Sequence, residues 1–542
     1  MQSRFTFELD GETYHVDGEP VNRTLAAHLH DCGFGRDDRF RNPDPWLGGA
    51  PLILLDSDGH GRPALRSIDA ALTLLPTVAG RRLWSAEGLV DRASGGDTHP
   101  ALERVNAHPE VECTWAGRAR LITALFEGYY RADLELAGQI NDQLDGCLSR
   151  TAYYEAMRDI ATSLFGESQK RRHEAKQGSE MQGNADAFEQ GRVDIFGDEF
   201  SALLAGDVPE PEDFSYVDAE KRRFYRPQTI VDLAKLLAQF PKAIIVGGSA
   251  DLLQGRAEND WDCLISTDGV GDLRALYDHE DHWDIGAAAP LTSINEILGQ
   301  PYPALGKILR RFGNRSIRNR ITLGGILGSG RQDGEIAPIL IALDAQVRVI
   351  SLEGERDIPV ARFFEGNGKT NLRPSEVIAD IILPRFTADV LKSRGCQVRI
   401  CETYKAAPRR ELGTGAVTAA FAVELDTKGH ITHAWIAYSG VADRPFRTRD
   451  TEAALIGKPW TEDTIFGVLP TLSREIQSAP GAKSPTPGMN ESEFEYRRQL
   501  VITLLQKFFY QHPKGDGSPV ELGAISEVIQ PKRPLFQPPS AV

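Results

Sequence analysis

The sequence has few cysteines and no long apolar run, and each shortage excludes a class of protein. Six cysteines in 542 residues do not make a disulfide framework. They form no C-x-x-C pair, and no H-E-x-x-H motif is present, so no metal site is predicted. The apolar runs are far shorter than the roughly 20 residues that a membrane-spanning helix needs, and the first ten residues lack the apolar segment of a secretory signal. We therefore expect a cytoplasmic protein with no membrane partner.

Positive charge is also in deficit. The chain has 77 acidic residues against 61 lysines and arginines, a formal net charge of −16. A surface of this sign repels phosphate backbones, so no nucleic-acid partner is predicted. Apolar residues make up 41% of the chain, which is typical of globular proteins, and the length predicts several domains.

Hydrophobic periodicity changes along the chain. Alternating apolar residues around Asp10-Gly11 predict a hairpin, and a further strand is expected at Leu52–Leu55. The pattern becomes helical from about residue 99 to 165. A polar, charged stretch over 166–223 is typical of a linker. Further on, Val417–Leu425 and Ile431–Ser439 alternate around a turn, which predicts a second hairpin.

Two glycine-rich runs are candidates for phosphate-binding loops, because glycine lets backbone amides approach a ligand closely. One is Val246-Gly247-Gly248-Ser249 and the other is Thr322–Gly330. Neither has the G-x-G-x-x-G pattern of a Rossmann fold. The run Gly366–Thr370 resembles the end of a P-loop, but residue 363 is phenylalanine where that motif needs glycine.

A longer stretch carries a family resemblance. The residues Arg311–Gly325, which read RFGNRSIRNRITLGG, closely resemble the flavin-binding segment of the xanthine dehydrogenase small subunit. Other segments resemble the same family in the same order, among them Val246–Leu252, Leu372–Ile378 and Tyr404-Lys405. The resemblance covers residues of about 224 to 510. The chain is thus identified as similar to the FAD-binding, iron–sulfur subunit of molybdenum hydroxylases.

The resemblance implies an α+β multidomain fold. We expect a ferredoxin-like β-grasp domain, a helical bundle domain, a two-part FAD-binding α+β domain of the PCMH type, and a C-terminal α+β domain of the CO dehydrogenase flavoprotein type. The predicted boundaries are 1–90, 91–165, a linker over 166–223, 224–390, 391–515 and a tail over 516–542.

The resemblance also implies FAD as the cofactor and assigns residues to its site, with no catalytic residue among them. Phe312 is expected near the adenine and Lys405 near the isoalloxazine ring, while both glycine runs are expected to contact the pyrophosphate. Ile326 replaces the family's asparagine, and Leu412-Gly413 replaces an acidic pair, so a chain that excludes the flavin is the competing hypothesis. The predicted cofactor-binding residues are Val246, Gly247, Gly248, Ser249, Ala250, Asp251, Leu252, Phe312, Thr322, Gly324, Gly325, Ser329, Glu335 and Lys405.

The family's two iron–sulfur clusters are expected to be absent. Each two-iron cluster needs four thiolates, but only Cys32, Cys113 and Cys147 precede residue 260. By alignment with the family, the ligand positions of the first cluster hold Pro43, Gly48, Pro51 and Ala71. In the second cluster Cys113 is kept, and the other aligned ligand positions include Ala116, Leu148 and Arg150.

Three functions follow from the resemblance. The first is the FAD-binding small subunit of a xanthine dehydrogenase-like molybdenum hydroxylase, an oxidoreductase component in a hetero-oligomer with a molybdopterin-containing large subunit and with NAD as a possible acceptor. The second is a cofactor-free structural or assembly subunit for that large subunit. The third is an independent flavin oxidoreductase. The substrate of the complex is not encoded in this chain.

The cysteine count makes a direct prediction about metal content. The purified chain should contain no stoichiometric iron, because the three cysteines before residue 260 are too few for even one cluster, which needs four thiolates. Elemental analysis and the visible spectrum check this. Two or more irons per chain, with the absorption of a two-iron cluster, would contradict the alignment.

Overall fold

The computed structural model describes residues 1–34, 50–91, 95–109, 111, 115–134, 137–147, 153–182, 184–208, 211–253, 261–408, 413–481 and 490–515. The chain divides into two compact units. The first comprises Met1–Thr229, Lys242–Gly271 and Gly313–Ile321, and the second comprises Ile230–Pro241, Asp272–Phe312 and Thr322–Val542. Within the described residues, no helix combines the length and apolar character needed to cross a bilayer. The predicted tail, 516–542, lies outside the described residues.

The first unit begins with a mixed sheet on which one helix packs, as in a β-grasp. The predicted hairpin is confirmed: the first two strands pair antiparallel, with Phe7 opposite Tyr14. Apolar residues from both elements form one core, including Phe7, Leu29 and Leu54. The strand order is β2-β1-β5-β3-β4. These elements are β1 (Arg4–Leu9), β2 (Glu12–Asp17), α1 (Leu25–Asp31), β3 (Pro51–Ser57), β4 (Pro63–Asp69) and β5 (Arg82–Ser85).

A helical region follows in the same unit. Leu121 and Leu125, spaced four residues apart on one helix face, pack with Phe165 in an apolar core. The helical pattern predicted from about residue 99 is confirmed. The elements are β6 (Val90–Asp91), β7 (Asp97–Thr98), α2 (Pro100–Asn106), α3 (Trp115–Tyr129), α4 (Ala137–Gln143), α5 (Tyr154–Met181), α6 (Ala185–Glu189) and α7 (Glu199–Leu204).

The stretch 166–223, for which the sequence predicts a linker, contains regular secondary structure. Helix α5 runs on to Met181, α6 and α7 follow, and a strand begins at Phe214. In the later part of α5, residues 166–181, most residues are Glu, Gln, Lys or Arg, which are strong helix formers. Helix propensity therefore outweighs the scarcity of apolar residues here.

A second, four-stranded sheet completes the first unit. Its strand order is β10-β11-β9-β8. Strand β11 pairs in parallel with β10 on one side and with β9 on the other. Helix α8, which lies between two of these strands in sequence, belongs to the second unit. The elements are β8 (Phe214–Val217), β9 (Arg223–Arg226), α8 (Ile230–Gln239), β10 (Ile244–Val246), α9 (Ala250–Leu253) and β11 (Cys263–Ser266).

The second unit contains a five-stranded antiparallel sheet of order β12-β13-β18-β14-β15. The glycine run that imitates a P-loop is instead a tight hairpin, with Asn367 and Gly368 both at positive φ. The elements in this part of the chain are α10 (Gly271–Arg274), β12 (Leu276–Asp278), β13 (His282–Gly286), α11 (Leu291–Leu298), α12 (Pro303–Arg310), α13 (Arg315–Arg318, in the first unit), α14 (Leu323–Gly328), α15 (Ala337–Ala342), β14 (Gln346–Ser351), β15 (Gly354–Pro359), α16 (Val360–Phe363), β16 (Phe364–Gly366), β17 (Lys369–Thr370) and β18 (Val377–Pro384).

The second unit ends in a four-stranded sheet of order β19-β20-β21-β22, covered by helices. The second predicted hairpin is confirmed as β20 and β21, joined by a turn with Gly429 at positive φ. The α+β multidomain fold expected from the sequence is thereby confirmed. The last elements are α17 (Ala388–Ser393), β19 (Val398–Ala406), β20 (Val417–Leu425), β21 (Ile431–Ser439), β22 (Phe446–Arg447), α18 (Arg449–Leu455), α19 (Glu462–Ser478) and α20 (Glu491–Gln511).

A buried carboxylate joins three parts of the first unit. Glu127, on α3, is 1% exposed. Its Oε1 atom lies 2.8 Å from the Nε atom of Arg315, and its Oε2 atom accepts a 2.6 Å hydrogen bond from the Ser67 hydroxyl. Asn319 donates to Oε1 at 3.1 Å. Burial alone raises the pKa of Glu127, but the guanidinium groups of Arg315 and Arg66 outweigh it and hold the pKa below its usual range.

Removing this charge should destabilise the first unit. Glu127→Gln leaves Arg315 and Arg66 buried without their carboxylate, which costs about 3–5 kcal/mol. The measurement is the free energy of unfolding in urea, taken from the unfolding transition of the first unit. The matched control is Glu174→Gln, which breaks an ion pair with Lys170 that is 61% and 78% exposed, so it should change stability by less than about 1 kcal/mol. Equal effects of the two substitutions would contradict the structural role of Glu127.

Candidate functional site

The first predicted loop lies at the end of strand β10. Gly248 packs so tightly that a Cβ atom there would lie 1.8 Å from the carbonyl oxygen of Arg320, so only glycine fits. Ser249 has a φ of +65°, a conformation that non-glycine residues seldom adopt. Its hydroxyl is buried and has no hydrogen-bond partner among the described residues. This loop therefore presents an unsatisfied polar group in a constrained backbone.

Not every residue predicted in this loop faces outward. Val246 is fully buried in the core, and its carbonyl accepts from the amide of Thr267. Ala250 packs with Leu72 and Ile317. Gly247, Asp251 and Leu252 are half-buried. The sequence resemblance does not distinguish residues that support the loop from residues that line its surface.

The segment Gly313–Ile321, which contacts this loop, is fixed by capping and by ion pairs. The Asn314 side chain caps α13 by accepting from the amide of Ile317. Arg318 donates to Asp142 at 2.7 Å and lies 3.5 Å from Asp145. Together with the Arg315–Glu127 pair, these contacts hold the arginine-rich part of the motif against the helical region. Arg315 and Arg318 therefore support the loop that contains Gly248 and Ser249.

The second predicted loop is a short helix, α14. Thr322 caps it, and its hydroxyl accepts from the amide of Gly325 at 3.1 Å. The amide of Gly324 donates to the Ala287 carbonyl at 2.9 Å, and the amide of Ser329 donates to the Gly325 carbonyl. The amides of Gly324, Gly325 and Ser329 thus already have acceptors within the protein, and their contact with a pyrophosphate stays a prediction.

The outer face of α14 is nevertheless flat. Gly325 and Gly328 are exposed and lie three residues apart, so they share one face of the helix, with Ser329 beside them. A Cβ atom at Gly325 would contact only the capping hydroxyl of Thr322, at 3.0 Å. Gly324 lies on the opposite side, where a Cβ atom would clash with Ala287 at 2.6 Å. One face of α14 thus packs inward and the other offers close approach to a ligand.

Lys405 and Glu335 form a buried ion pair in the second unit. The Lys405 ammonium donates to Glu335 Oε2 at 2.7 Å and to the Arg311 carbonyl at 3.0 Å. Glu335 Oε1 accepts from the amide of Gly415 at 2.6 Å. Because Arg311 precedes Phe312, Lys405 holds the peptide that carries the predicted adenine neighbour. The structure thus brings Phe312, Glu335 and Lys405 together, with the lysine charge already balanced.

Two residues near this ion pair are absent from the sequence prediction. Thr418 and Ser439 face each other in the register of β20 and β21. Both are 1% exposed, and neither hydroxyl has a hydrogen-bond partner among the described residues. Thr418 is close to the ion pair, since a Cβ atom at Gly415 would lie 2.8 Å from the Thr418 hydroxyl and 3.4 Å from Glu335. Nothing in an isolated threonine or serine signals such a position.

Some of the residues aligned with cluster ligands lie within the described part of the chain. Pro51 and Ala71 are buried within the first sheet region. Cys32 is exposed at the end of α1, whereas Cys147 is buried in the separate helical core. Pro43, Gly48, Cys113, Leu148, Arg150 and Leu412 lie outside the described residues, as does the side chain of Ala116.

Comparison with known families identifies the second half of the chain. Residues 218–386 match the FAD binding domain in molybdopterin dehydrogenase, and residues 402–512 match the CO dehydrogenase flavoprotein C-terminal domain. Over the regions that they cover, these two matches fit the FAD-binding subunit of a molybdenum hydroxylase. FAD is the cofactor that this domain pair supports.

Individual relatives agree with this assignment. The chain is 25% identical over 305 residues to xanthine dehydrogenase of Emericella nidulans, covering 54% of this chain and 21% of that protein. It is 31% identical over 299 residues to mouse (Mus musculus) aldehyde oxidase 4, covering 52% and 21%. A match to aldehyde oxidase 1 of Cavia porcellus, at 23% identity, covers 93% of this chain and 38% of that protein. The chain therefore spans well under half the length of these curated relatives.

Solved structures give weaker matches. Carbon monoxide dehydrogenase from Hydrogenophaga pseudoflava matches with a TM-score of 0.46 and 21% identity, over 52% of this chain and 94% of the other. Quinoline 2-oxidoreductase from Pseudomonas putida 86 matches with a TM-score of 0.45 and 21% identity, over 54% and 96%.

Each unit, taken by itself, holds groups that fit part of a flavin. In the first unit the Ser249 hydroxyl is buried without a partner among the described residues. In the second unit the outer face of α14 carries two exposed glycines, and the facing hydroxyls of Thr418 and Ser439 have no partner among the described residues. Buried polar groups of this kind normally find a partner, and a bound ligand can supply one. Ile326, which follows Gly325 in α14, is half-buried.

The glycine face of α14 makes a prediction about binding. Gly325→Val should weaken FAD binding by at least ~10-fold, or about 1.4 kcal/mol, because its methyl groups project where the ligand must approach. The apoprotein should stay folded, since valine has a higher helix propensity than glycine. The measurement is quenching of FAD fluorescence on titration with protein.

The control for this substitution is Gly467→Val. Gly467 is also an exposed helical glycine, and a Cβ atom there meets nothing within 4 Å. FAD should bind this variant as it binds the wild type. Unchanged binding by Gly325→Val would show that α14 does not contact the cofactor.

Proposed function

We propose that this chain is the FAD-binding small subunit of a xanthine dehydrogenase-like molybdenum hydroxylase that has lost both two-iron clusters. The observation that carries the proposal is the pair of matched domains, in order, over residues 218–386 and 402–512. Ahead of them stands an N-terminal region with too few cysteines for either cluster. The partner in this proposal is a large subunit that holds the molybdopterin.

The loss of the clusters changes how electrons would reach the flavin. In the family that the sequence resembles, the clusters relay electrons from the molybdenum centre to FAD. Thiolates are needed to hold such clusters, and proline, glycine, alanine and leucine offer none. The proposed subunit therefore takes electrons from a donor that reaches the flavin directly, and NAD is a possible final acceptor.

The site residues have defined tasks in this proposal. Bound FAD would supply the capacity to accept and release a hydride. The Glu335 carboxylate balances the charge of Lys405 and orients its ammonium group. That ammonium also donates to the carbonyl of Arg311, next to Phe312. In the second unit, the Gly325 face of α14 is the surface that this proposal assigns to the cofactor.

A structural or assembly subunit is the second candidate, and one observation favours it. Lys405 is already neutralised by Glu335, and the α14 amides are already bonded within the protein. Charged and donor groups that are already satisfied within the protein gain less by binding an anionic cofactor. Such a subunit would keep the fold and the partner while losing the flavin.

The two functions separate in one experiment. A tagged full-length chain, isolated from the cells that naturally produce it, should carry molybdenum and FAD in about equal amounts, with no more iron than the large subunit brings. Molybdenum without FAD would establish the assembly subunit, and FAD without molybdenum would establish an independent flavin oxidoreductase. Either result would contradict the proposal.

A variant sharpens the comparison. Glu335→Gln keeps the size of the side chain but leaves the buried Lys405 ammonium without its carboxylate. This variant should lower the FAD content at least ~10-fold, because the buried ammonium loses its partner. Molybdenum should still co-purify, because the substitution disturbs contacts within the second unit alone. The control is Glu174→Gln on the exposed part of α5. Equal FAD content in both variants would remove Glu335 from the cofactor site.

A further inference from the structure

Three strand ends in the second unit bring a thiol, a carboxylate and an imidazole together. Cys396 immediately precedes β19, Glu424 is near the end of β20, and His433 is near the start of β21. Glu424 and His433 are direct cross-strand partners. The amide of Gln397 bonds to the Leu425 carbonyl at 2.8 Å, which sets Cys396 beside the same strand end. The three side chains therefore meet because of strand register, although 37 residues separate the first from the last.

The distances between the three donor atoms are those of a metal site. Bond lengths of about 2.3 Å to sulfur and 2.0–2.1 Å to nitrogen and oxygen, in a tetrahedral arrangement, place the donor atoms about 3.3–3.6 Å apart. Here Cys396 Sγ lies 3.3 Å from Glu424 Oε2 and 3.8 Å from His433 Nδ1. His433 Nδ1 lies 3.2 Å from the same carboxylate oxygen. All three separations are within a few tenths of an ångström of the tetrahedral values.

The two oxygens of Glu424 are divided between different partners. Oε1 receives the guanidinium groups of Arg399, at 2.5 Å, and Arg394, at 3.3 Å. Oε2 faces the Cys396 thiol and the His433 imidazole. Hydrogen-bonded carboxylates of this kind are typical of metal ligands, because the outer bonds fix the orientation of the ligand. The arginines thus hold Oε2 in place for a cation.

A fourth position and an entry path are also present. The Thr432 hydroxyl lies 3.1 Å from Cys396 Sγ and 3.3 Å from His433 Nδ1, and it donates to the Glu424 backbone carbonyl at 3.0 Å. A neutral hydroxyl is a weak ligand, so a water molecule is the expected fourth donor there. Cys396 and Glu424 are buried, while the His433 side chain is 45% exposed. An ion can therefore enter from the His433 side.

We propose that Cys396, Glu424 and His433 bind one zinc-type divalent cation. Thiolate, imidazole and carboxylate are the ligand types that zinc uses, and on binding the Cys396 thiol releases its proton to solvent. The ion would cross-link the start of β19 to the β20–β21 hairpin. Strand β19 also carries Lys405, so the metal would stabilise the part of the sheet that supplies the predicted flavin-side lysine.

A second group of metal-binding residue types, His279, His282 and Asp284, provides an internal comparison. Its imidazole rings are stacked, with centroids 4.5 Å apart and an interplanar angle of 17°. The lone pairs of stacked rings lie in separate planes and do not converge on one ion. Asp284 is also paired with Arg348 at 3.1 Å. This group is not proposed as a site, and it serves as a control.

The test is a titration of the full-length, chelator-treated chain with Co²⁺, followed by competition with Zn²⁺. One equivalent of Co²⁺ should produce a thiolate-to-cobalt charge-transfer band, which Zn²⁺ then removes. Cys396→Ser should abolish the band, whereas Cys401→Ser, which changes the other thiol of this region, should keep it. His279→Ala should leave the stoichiometry at one.

The exposed ligand guards against a folding artefact. His433→Ala alters a half-exposed side chain, so the protein should keep its circular dichroism spectrum while its metal affinity falls by more than the ~10–100-fold that loss of an outer partner causes. Added Zn²⁺ should raise the melting temperature of the wild type and not of this variant. No band in the wild type, or a band that survives Cys396→Ser, would overturn the inference.

Discussion

The buried carboxylate of Glu127 is the constraint on which the first unit depends. A charge that is 1% exposed is expensive to bury, and only converging partners offset that cost. Those partners come from β4, through Arg66 and Ser67, and from the α13 region, through Arg315 and Asn319. The sheet region, the helical region and the arginine-rich segment are therefore fixed together. That segment continues directly into Thr322, the cap of α14.

A second buried ion pair extends the same principle to the other sheet of the first unit. Asp268 follows β11 and accepts from Arg81 at 2.9 Å, and from the Ser266 hydroxyl at 2.6 Å. Burial raises the pKa of Asp268, but the guanidiniums of Arg81 and Arg226 outweigh it and lower the pKa overall. Polar contacts of this kind, together with two apolar cores, organise the described part of the region.

The sequence predicted elements well where a local signal was strong. The Asp10-Gly11 hairpin and the β20–β21 hairpin follow from alternation and turn residues, and both are present. The sequence predicted helix only to about residue 165, because the polar, charged stretch that follows was interpreted as a linker, whereas α5 runs on to Met181. The site was predicted less completely. A motif names Gly324 and Gly325 together, but only the fold decides that one packs on Ala287 and the other faces outward.

Long-range contacts were beyond the reach of the sequence. The pairing of Lys405 with Glu335 joins residues 70 positions apart, and the meeting of Cys396 with His433 depends on strand register. No local pattern reports such contacts. The resemblance to a flavoprotein family predicts a flavin-side position for Lys405, but it did not reveal that Glu335 balances the lysine charge.

The central claim is that FAD is the sole redox centre of this chain. An anaerobic reductive titration of the FAD-loaded, full-length protein with dithionite tests it most directly. A flavin without clusters takes up about two electrons per chain, and the spectrum should show only flavin bleaching. An uptake of about four electrons, with loss of iron–sulfur absorption, would show that both clusters are present. Failure to load FAD at all would contradict the claim in the other direction.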